Sequence, residues 1–428
     1  MQQSAIHQQP WPLWKRFGFL FIALYFLLYL AEAFISSGLV PAFIAEGIGE
    51  VWFKLIQWTG AHILHIGYPI TVRPNGSGDT TYNYVEVFLF ATIAFIAALA
   101  WVLVGRRRKN FDGFAAWTRI LMRYYLGFFL VTYGSVKIIK LQFPYPSLHS
   151  LLQSYGDSSP MGLAWNFLGY SEVYNWFTGA AEAMAGLLLF FRRTTLLGAL
   201  LSFGVMLNVC IMNFTYDIPV KLFSAHLVLF SIYLIAHDRE RLAHLFLFNR
   251  TAAPAPPELP QPVGWKRWLR IGLKVIFITY LLYASFWSSF ESSKQYGDKA
   301  PKTPLYGIYN VTSFVRNGDT IPPLTTDTTR WKQLVLEWKT WVYVKTMNDS
   351  LQGMLFKLDT AQRLATFQNR DSSRVYQLRY ERTDSSNLLL YGRMGTDSLR
   401  ISTVRFDEKT FLLNSRGFHW INEYPFNR

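Results

Sequence analysis

The first two thirds of the chain alternate long apolar runs with short polar loops. A helix needs about 20 mainly apolar residues to cross the hydrocarbon core of a membrane. The runs of this length predict a multi-pass α-helical membrane bundle of about seven helices. A shorter amphipathic run, Val51–Ile66, is predicted to lie along the membrane surface as a helix. The predicted spans are Phe17–Ser36, Val85–Val104, Ile120–Ile139, Tyr174–Phe191, Thr194–Asn213, Ile218–Ala236 and Leu269–Phe290.

From Leu305 onward, apolar and polar residues alternate with a period of two, which is typical of β-strands. About eight strands separated by turn signals such as Asn317-Gly318-Asp319 predict a C-terminal all-β antiparallel barrel or sandwich. The segment Gly307–Val311 resembles the first strand of lipocalin-like barrels, whose interior either holds a small ligand or is filled by side chains. The predicted strands are Tyr306–Arg316, Trp331–Lys345, Gly353–Leu358, Arg363–Gln368, Val375–Arg382, Leu388–Arg393, Ser398–Phe406 and Phe418–Tyr424.

These patterns divide the chain into four regions. Residues 1–112 form an N-terminal membrane region with two transmembrane helices and an external loop, and 113–250 form a four-helix membrane bundle. Residues 251–291 hold a Pro-rich linker and the last transmembrane helix, and 305–428 form the β-domain. Thr251–Val263 is predicted to be an extended spacer, and Ser292–Pro304 is predicted to connect the last helix to the β-domain.

The basic residues lie mainly in alternate loops, which predicts the orientation in the membrane. Arg106-Arg107-Arg108-Lys109, Arg192-Arg193 and Lys266-Arg267 flank apolar runs, whereas Gln142–Val173 carries almost no Lys or Arg. By the positive-inside rule, the N-terminus is cytoplasmic and the C-terminal domain is periplasmic, in a bacterial inner membrane. The net charge of +15 therefore reflects topology, and no nucleic-acid partner is predicted.

Composition agrees with a membrane protein. Hydrophobic residues make up 51% of the chain and charged residues 16%, whereas about a quarter of an average soluble protein is charged. Cys210 is the single cysteine, so no intramolecular disulfide or Cys-based metal or redox motif exists. His62 and His65 lie three residues apart without a second pair of ligands, and no metal site is predicted.

Ionisable residues inside membrane spans are costly, and they mark candidate functional positions. Glu182 and His226 are the candidate catalytic residues, because a buried carboxylate and an imidazole can move protons. Glu182 can pair with Lys137 or with Lys221. All of these residues are predicted to lie near the external ends of their helices, in one shared pocket. The predicted substrate-binding residues are Lys137, Lys140, Gln142, Asn208, Asp217 and Lys221.

Each of these residues also has a structural interpretation. A Glu182–lysine pair can simply hold the bundle together, and the lysines can extend to the membrane surface. His226 can be a hydrogen-bonded core histidine, and Asn208 can bond a neighbouring helix. The sequence leaves both interpretations open.

The segment from about Arg119 to His244 resembles the DoxX family of four-helix membrane proteins. The resemblance rests on Gly134-Ser135-Val136-Lys137, on Gly179-Ala180-Ala181-Glu182-Ala183-Met184-Ala185-Gly186-Leu187-Leu188-Leu189, and on the Arg192-Arg193 turn. It implies closely packed helices and carries over Lys137 and Glu182 as pocket residues. Some DoxX members are described as a subunit of a thiosulfate:quinone oxidoreductase. The extra N-terminal helices and the β-domain set this chain apart from the small members.

Two functional hypotheses follow. In the first, the chain is a redox-related membrane subunit that binds a quinone or a small polar reductant in the external half of the bundle. In the second, it is a non-enzymatic, membrane-anchored accessory protein whose β-domain binds a periplasmic partner or a lipid. Quinone is the candidate cofactor, and the lipid bilayer and a membrane or periplasmic protein are the candidate partners. Transport is disfavoured, because no inverted repeat is apparent.

Overall fold

A computed structural model describes residues 10–36, 40–71, 76–104, 110–253, 263–372 and 374–427. The chain divides into two compact units. The helical unit comprises Met1–Ile139 and Val173–Phe290, and the barrel unit comprises Lys140–Glu172 and Glu291–Arg428. The barrel unit is thus assembled from two segments that are distant in sequence.

The described helices occupy all seven predicted spans. Short 3-10 turns lie at Tyr155–Asp157 and Glu408–Thr410, and a π-helical turn lies at Ala243–Leu247. The α-helices are α1 (Leu13–Ser36), α2 (Ala42–His62), α3 (Thr81–Val104), α4 (Asp112–Ile138), α5 (Leu148–Leu152), α6 (Pro160–Tyr170), α7 (Glu172–Phe190), α8 (Thr195–Thr215), α9 (Lys221–His237), α10 (Arg239–Leu242), α11 (Trp265–Tyr296) and α12 (Leu412–Ser415).

Within the described ranges, four helices are long and apolar enough to cross a membrane, namely α1, α3, α8 and α11. The other three predicted spans correspond to α4, α7 and α9. Helix α9 is apolar but has only 17 residues. Helices α4 and α7 are less apolar because they carry buried charged residues, including Lys137 and Glu182. The protein is therefore a membrane protein with a helical bundle.

Several predicted boundaries were wrong. The surface helix predicted at Val51–Ile66 begins earlier and ends at His62, as α2. The start of the predicted connection Ser292–Pro304 is helical, because α11 continues to Tyr296. Most of the predicted spacer Thr251–Val263 lies outside the described residues, which leave out 254–262.

The core of the helical unit lies among α1, α4, α7, α8 and α9. Aromatic side chains fill it, since Phe26 of α1 contacts Phe230 of α9 with ring centroids 4.7 Å apart. Phe230 also packs edge-on against Tyr125 of α4. Helix α1 is therefore part of this core, although the sequence placed it outside the four-helix region.

The C-terminal domain is a closed antiparallel barrel of eight strands, with a two-residue ninth strand in the hairpin that follows β1. The first long strand, β1, pairs with β3, consecutive strands then pair in order from β3 to β9, and β9 pairs with β1 to close the sheet. The strands are β1 (Gly307–Arg316), β2 (Asp319–Thr320), β3 (Trp331–Leu336), β4 (Trp341–Thr346), β5 (Leu351–Asp359), β6 (Leu364–Asn369), β7 (Val375–Arg382), β8 (Asn387–Met394) and β9 (Asp397–Phe406).

Two strand predictions were wrong. The single strand predicted at Trp331–Lys345 is the hairpin of β3 and β4, with its turn at 337–340. The predicted final strand Phe418–Tyr424 is not a strand. Because β9 already pairs with β1, the closed sheet leaves no edge on which this segment could add.

Side chains fill the interior of the barrel. Trp331 and Phe367 are buried at its centre, with ring centroids 5.5 Å apart, and Tyr309, Phe356 and Leu390 pack around them. A closed barrel of eight strands is about wide enough for its own side chains. Of the two alternatives left by the lipocalin-like pattern, the structure thus has the filled interior.

The segment between α4 and α7 belongs to the barrel unit and packs against its outer surface. Leu148 of α5 is buried with Ile308 of β1 and Val335 of β3. Ser147 and Ser159 begin α5 and α6 by accepting hydrogen bonds from backbone N–H groups of the first turn. This segment supplies one wall of the cavity described below.

Candidate functional site

Helices α4 and α7 cross in close contact because glycines face each other at two levels. A Cβ added to Gly134 would lie 2.6 Å from the carbonyl oxygen of Gly179, and one added to Gly186 would lie 2.8 Å from that of Gly127. Such distances leave no room for a side chain. The small residues at these positions let the two backbones meet. Lys137 and Glu182 lie beside the contact between Gly134 and Gly179.

Lys137 and Glu182 form a buried ion pair between α4 and α7. Their Nζ and Oε1 atoms are in direct contact, and the Glu182 side chain is 2% exposed. The structure thus selects Lys137 over Lys221 as the partner of Glu182. The second carboxylate oxygen, Oε2, is buried and has no hydrogen-bond partner among the described residues. That oxygen can accept one more hydrogen bond.

His226 is held by α1 and by its own helix. Its Nδ1 lies 2.6 Å from the carbonyl oxygen of Leu222, and its Nε2 lies 2.6 Å from the hydroxyl of Tyr25. A carbonyl only accepts, so Nδ1 carries a proton; in the neutral ring, Nε2 accepts from Tyr25. Tyr29 stacks on the imidazole with ring centroids 4.0 Å apart. His226 therefore contacts α1 rather than the Lys137–Glu182 pair.

Tyr25 and Tyr29 were not among the residues predicted from the sequence. Both lie on α1, about 200 residues before His226, and no local motif connects them to it. Their spacing of four residues on a predicted helix places them on one face, which was the available signal. Glu86 was missed too; it is buried on α3 and accepts a hydrogen bond of 2.7 Å from Trp52 Nε1 of α2.

Lys221 and Asp217 form a separate group at the start of α9. Lys221 Nζ lies 2.8 Å from Asp217 Oδ1 and 3.8 Å from Asp79 Oδ2. The carboxylate of Asp79 also accepts the backbone N–H groups of Lys221 and Leu222 at 2.8 and 2.9 Å. Asp79 lies 142 residues before Lys221 in the chain. It thus caps α9 by accepting hydrogen bonds from N–H groups that have no partner within the helix.

The remaining predicted residues lie elsewhere. Asn208 lies on the exposed face of α8. Gln142 and Lys140 belong to the barrel unit, where the Gln142 Oε1 atom is buried without a partner among the described residues. The structure brings together Lys137 with Glu182 and Lys221 with Asp217. It gives His226 and Lys140 other partners, and it leaves Asn208 on the exposed face of α8.

A cavity of about 1390 Å³ lies within the barrel unit. The segment between α4 and α7, the end of α11 and the β3–β4 turn all contribute to its walls. Lys140 lines it and donates to Asp298 at 2.8 Å; Asp298 also accepts the backbone N–H of Tyr145 at 2.8 Å. Thr303 is buried in the lining, and its hydroxyl oxygen has no partner among the described residues.

His149 and Glu337 link two of the segments that line this cavity. Their Nδ1 and Oε2 atoms lie 3.1 Å apart, and the other Glu337 oxygen accepts the N–H of Leu148 at 2.9 Å. His149 also stacks on Tyr343, with ring centroids 4.3 Å apart. These contacts hold the segment before α7 against the β3–β4 hairpin and so fix the shape of the cavity.

The lining carries nearly balanced charge. It includes four lysines, Lys140, Lys294, Lys302 and Lys339, and three acidic residues, Asp157, Asp298 and Glu337. Aromatic surfaces come from several rings, among which Tyr306 is partly buried. Burial raises the pKa of the Tyr306 hydroxyl, although Lys302 beside it acts in the opposite direction. Tyr306 is therefore a neutral hydrogen-bonding group at physiological pH.

Comparison with known proteins identifies a relative for part of the chain. No protein-family model matches the sequence. No solved structure matches it significantly. Over 126 residues, or 29% of this chain, the sequence is 31% identical to the uncharacterized protein YwoB of Bacillus subtilis (strain 168), and this match covers 79% of YwoB. The chain therefore belongs to the same family as YwoB over that stretch.

Proposed function

We propose that this chain is a membrane-anchored binding protein that holds a small polar molecule in the cavity of its barrel unit, on the periplasmic side of a bacterial inner membrane. The observation that carries the proposal is the cavity itself, lined by residues of the barrel unit alone. Ligand pockets usually measure about 300–1,000 Å³, so this cavity can admit a molecule of that size. Because side chains fill the barrel interior, the ligand is expected in this cavity and not inside the barrel.

The lining favours a neutral ligand that is rich in hydroxyl groups, such as a sugar. Lys140 and Asp298 already neutralise each other, and Lys294 pairs with Glu291 at 2.7 Å, so little net charge is left to attract an ion. Hydroxyl groups both donate and accept, which matches a lining with both functions. Aromatic rings such as Trp165 offer apolar faces to the C–H surface of such a molecule.

Thermal unfolding of the purified full-length protein tests this proposal. A bound ligand raises stability by about 2.7 kcal/mol at a concentration of 100 Kd. We expect a neutral disaccharide to raise the Tm and an equally sized sugar phosphate to raise it less. Trp165→Ala and Thr303→Val should reduce the shift, whereas Thr312→Val, on an exposed strand position, should not. Equal shifts in all three variants, or none with any sugar, would contradict the proposal.

A second candidate function concerns the helical unit. The buried Glu182 has an unpartnered oxygen beside the Lys137 cation. Together with the DoxX resemblance, this favours a pocket where Glu182 accepts a hydrogen bond from a quinol hydroxyl and Lys137 orients an oxygen atom. His226 would exchange a proton with Tyr25, its hydrogen-bond partner, at a separate position.

Mass spectrometry of the gently extracted protein tests this second candidate. Stoichiometric quinone in the native protein, and its loss in Glu182→Gln, is the expected result. Tyr133→Phe serves as a control on the neighbouring part of α4. Absence of quinone from the native protein would exclude the redox pocket and leave the binding protein as the remaining function.

A further inference from the structure

Helix α8 has one face buried in the bundle and one exposed face that carries a polar residue. Its buried positions are Thr195, Gly198, Ala199, Ser202, Met206 and Asn213. The exposed positions recur every three or four residues, and they therefore form one stripe along the helix. The exposed stripe consists of Leu197, Leu200, Gly204, Asn208 and Ile211.

Asn208 is the unusual member of this stripe. It lies seven residues before the end of α8 at Thr215, or about 10 Å along the helix axis, within a span that is apolar enough to cross a membrane. Thr92 and Thr132, which are partly exposed on other helices, donate to carbonyl oxygens of their own helices at 2.8 and 3.0 Å. The carboxamide of Asn208 has no partner in the described part of the chain.

An unsatisfied carboxamide in hydrocarbon is costly, because lipid chains offer no hydrogen bonds. Gly204 lies one turn before Asn208, and a Cβ added there would meet nothing within 4 Å. A small residue with open space beside it lets another helix backbone approach, and an Asn then bonds across the contact. The two features therefore belong to one contact surface.

We propose that this face of α8 is the interface between two copies of this chain in the membrane. Copies inserted in the same direction are related by a twofold axis along the membrane normal, which places residues of the same number at the same depth. Asn208 then faces Asn208 of the other copy. The carboxamide has both donors and an acceptor, so two of them can bond reciprocally. This self-complementarity selects a second copy over a different membrane protein.

Disulfide cross-linking in native membranes tests the interface. Cys210 is the single cysteine, so Cys210→Ser gives a cysteine-free chain for new single cysteines. Leu200→Cys and Ile211→Cys, which flank the contact, should cross-link to a dimer under mild oxidation. Leu99→Cys, equally lipid-exposed on α3 at 42%, is the matched control. Equal dimer yields at Leu99 and Ile211, or a cross-linked product of a different mass, would overturn the proposal.

The Asn208→Leu variant provides a second measurement. Because Asn208 is exposed and its carboxamide has no partner among the described residues, the substitution should leave the fold intact. A hydrogen bond between membrane helices contributes about 0.6–2 kcal/mol. The dissociation constant of the dimer should therefore rise about threefold to thirtyfold. Single-molecule photobleaching of the labelled full-length protein in liposomes reports the dimer fraction. An unchanged fraction in Asn208→Leu would overturn the proposal.

Discussion

At the scale of single residues, the role of a polar side chain in the bundle depends on its hydrogen-bond and ion-pair partners. The sequence predicted that Glu182 can pair with Lys137 or with Lys221, and the structure has the pair with Lys137. It did not predict that Tyr25 bonds His226 or that Asp79 caps α9. Those contacts join segments separated by more than 140 positions in the chain, as the sequence separations of 201 and 142 show.

Removal of one member of the buried pair should be more damaging than removal of both. Lys137→Met leaves the Glu182 carboxylate buried without a cation, and such a loss costs about 3–5 kcal/mol of unfolding free energy. The double variant Lys137→Met/Glu182→Leu should recover most of this, because it leaves no charge. Lys54→Met removes the exposed pair with Glu50 and should change stability by less than about 1 kcal/mol. Denaturant unfolding in detergent measures these changes; equal loss in the single and double variants would contradict the prediction.

The charge of Asp397 should make the stability of the barrel unit depend on pH in the acidic range. Hydrogen bonds from Asn317 and Arg316 hold its pKa below the ordinary value of 3.8. A lowered pKa in the folded state means that the stabilisation is present above pH 3.8 and is lost as the pH falls below it. Asp397→Asn should therefore lower the Tm of the barrel unit near pH 7 and show a smaller further loss between pH 4 and pH 2. An identical slope in the two proteins would argue against this role.

At the scale of helices and strands, periodicity predicted most elements, and the exceptions have local causes. The apolar runs predicted seven helices, and the structure has a helix at each of these places; among the described residues, four of the seven are long and apolar enough to cross a membrane. The strand at Trp331–Lys345 was predicted as one element because 337–340 contain no Gly, Pro or Asn to signal a turn. The aromatic segment Phe418–Tyr424 resembles a strand, yet the closed barrel offers it no partner.

The contact between α4 and α7 should tolerate no added atom at Gly134. Gly134→Ala places a methyl group 2.6 Å from the Gly179 carbonyl oxygen, and forcing the helices apart costs about 1–3 kcal/mol. Gly18→Ala, on α1 with no atom within 4 Å, should be neutral or stabilising by up to about 1 kcal/mol, because alanine favours the helix. The thermal stability of the purified protein distinguishes the two variants. A Gly134→Ala protein as stable as Gly18→Ala would contradict the close contact.

At the scale of the whole molecule, the least predictable feature is the composition of the barrel unit. It includes a segment that lies between α4 and α7 in the chain. The sequence predicted Gln142–Val173 as a loop of the four-helix bundle, whereas in the structure Lys140–Glu172 belongs to the barrel unit and forms a wall of the cavity. The contact depends on pairs such as His149 and Glu337, 188 residues apart. Neither residue carries a local signal of such pairing, so the cavity could not be predicted from the sequence.

The orientation of the chain remains a prediction of the positive-inside rule, and single cysteines test it. In the Cys210→Ser chain, Ser385→Cys lies on an exposed turn of the barrel unit, and Thr251→Cys lies at an exposed position after the π-helical turn. In intact cells of a Gram-negative host with a permeabilised outer membrane, a membrane-impermeant maleimide should label Ser385→Cys. It should reach Thr251→Cys only after the inner membrane is opened, because the basic loops hold that side in the cytoplasm. The reverse labelling pattern would place the cavity in the cytoplasm, where a periplasmic ligand cannot reach it.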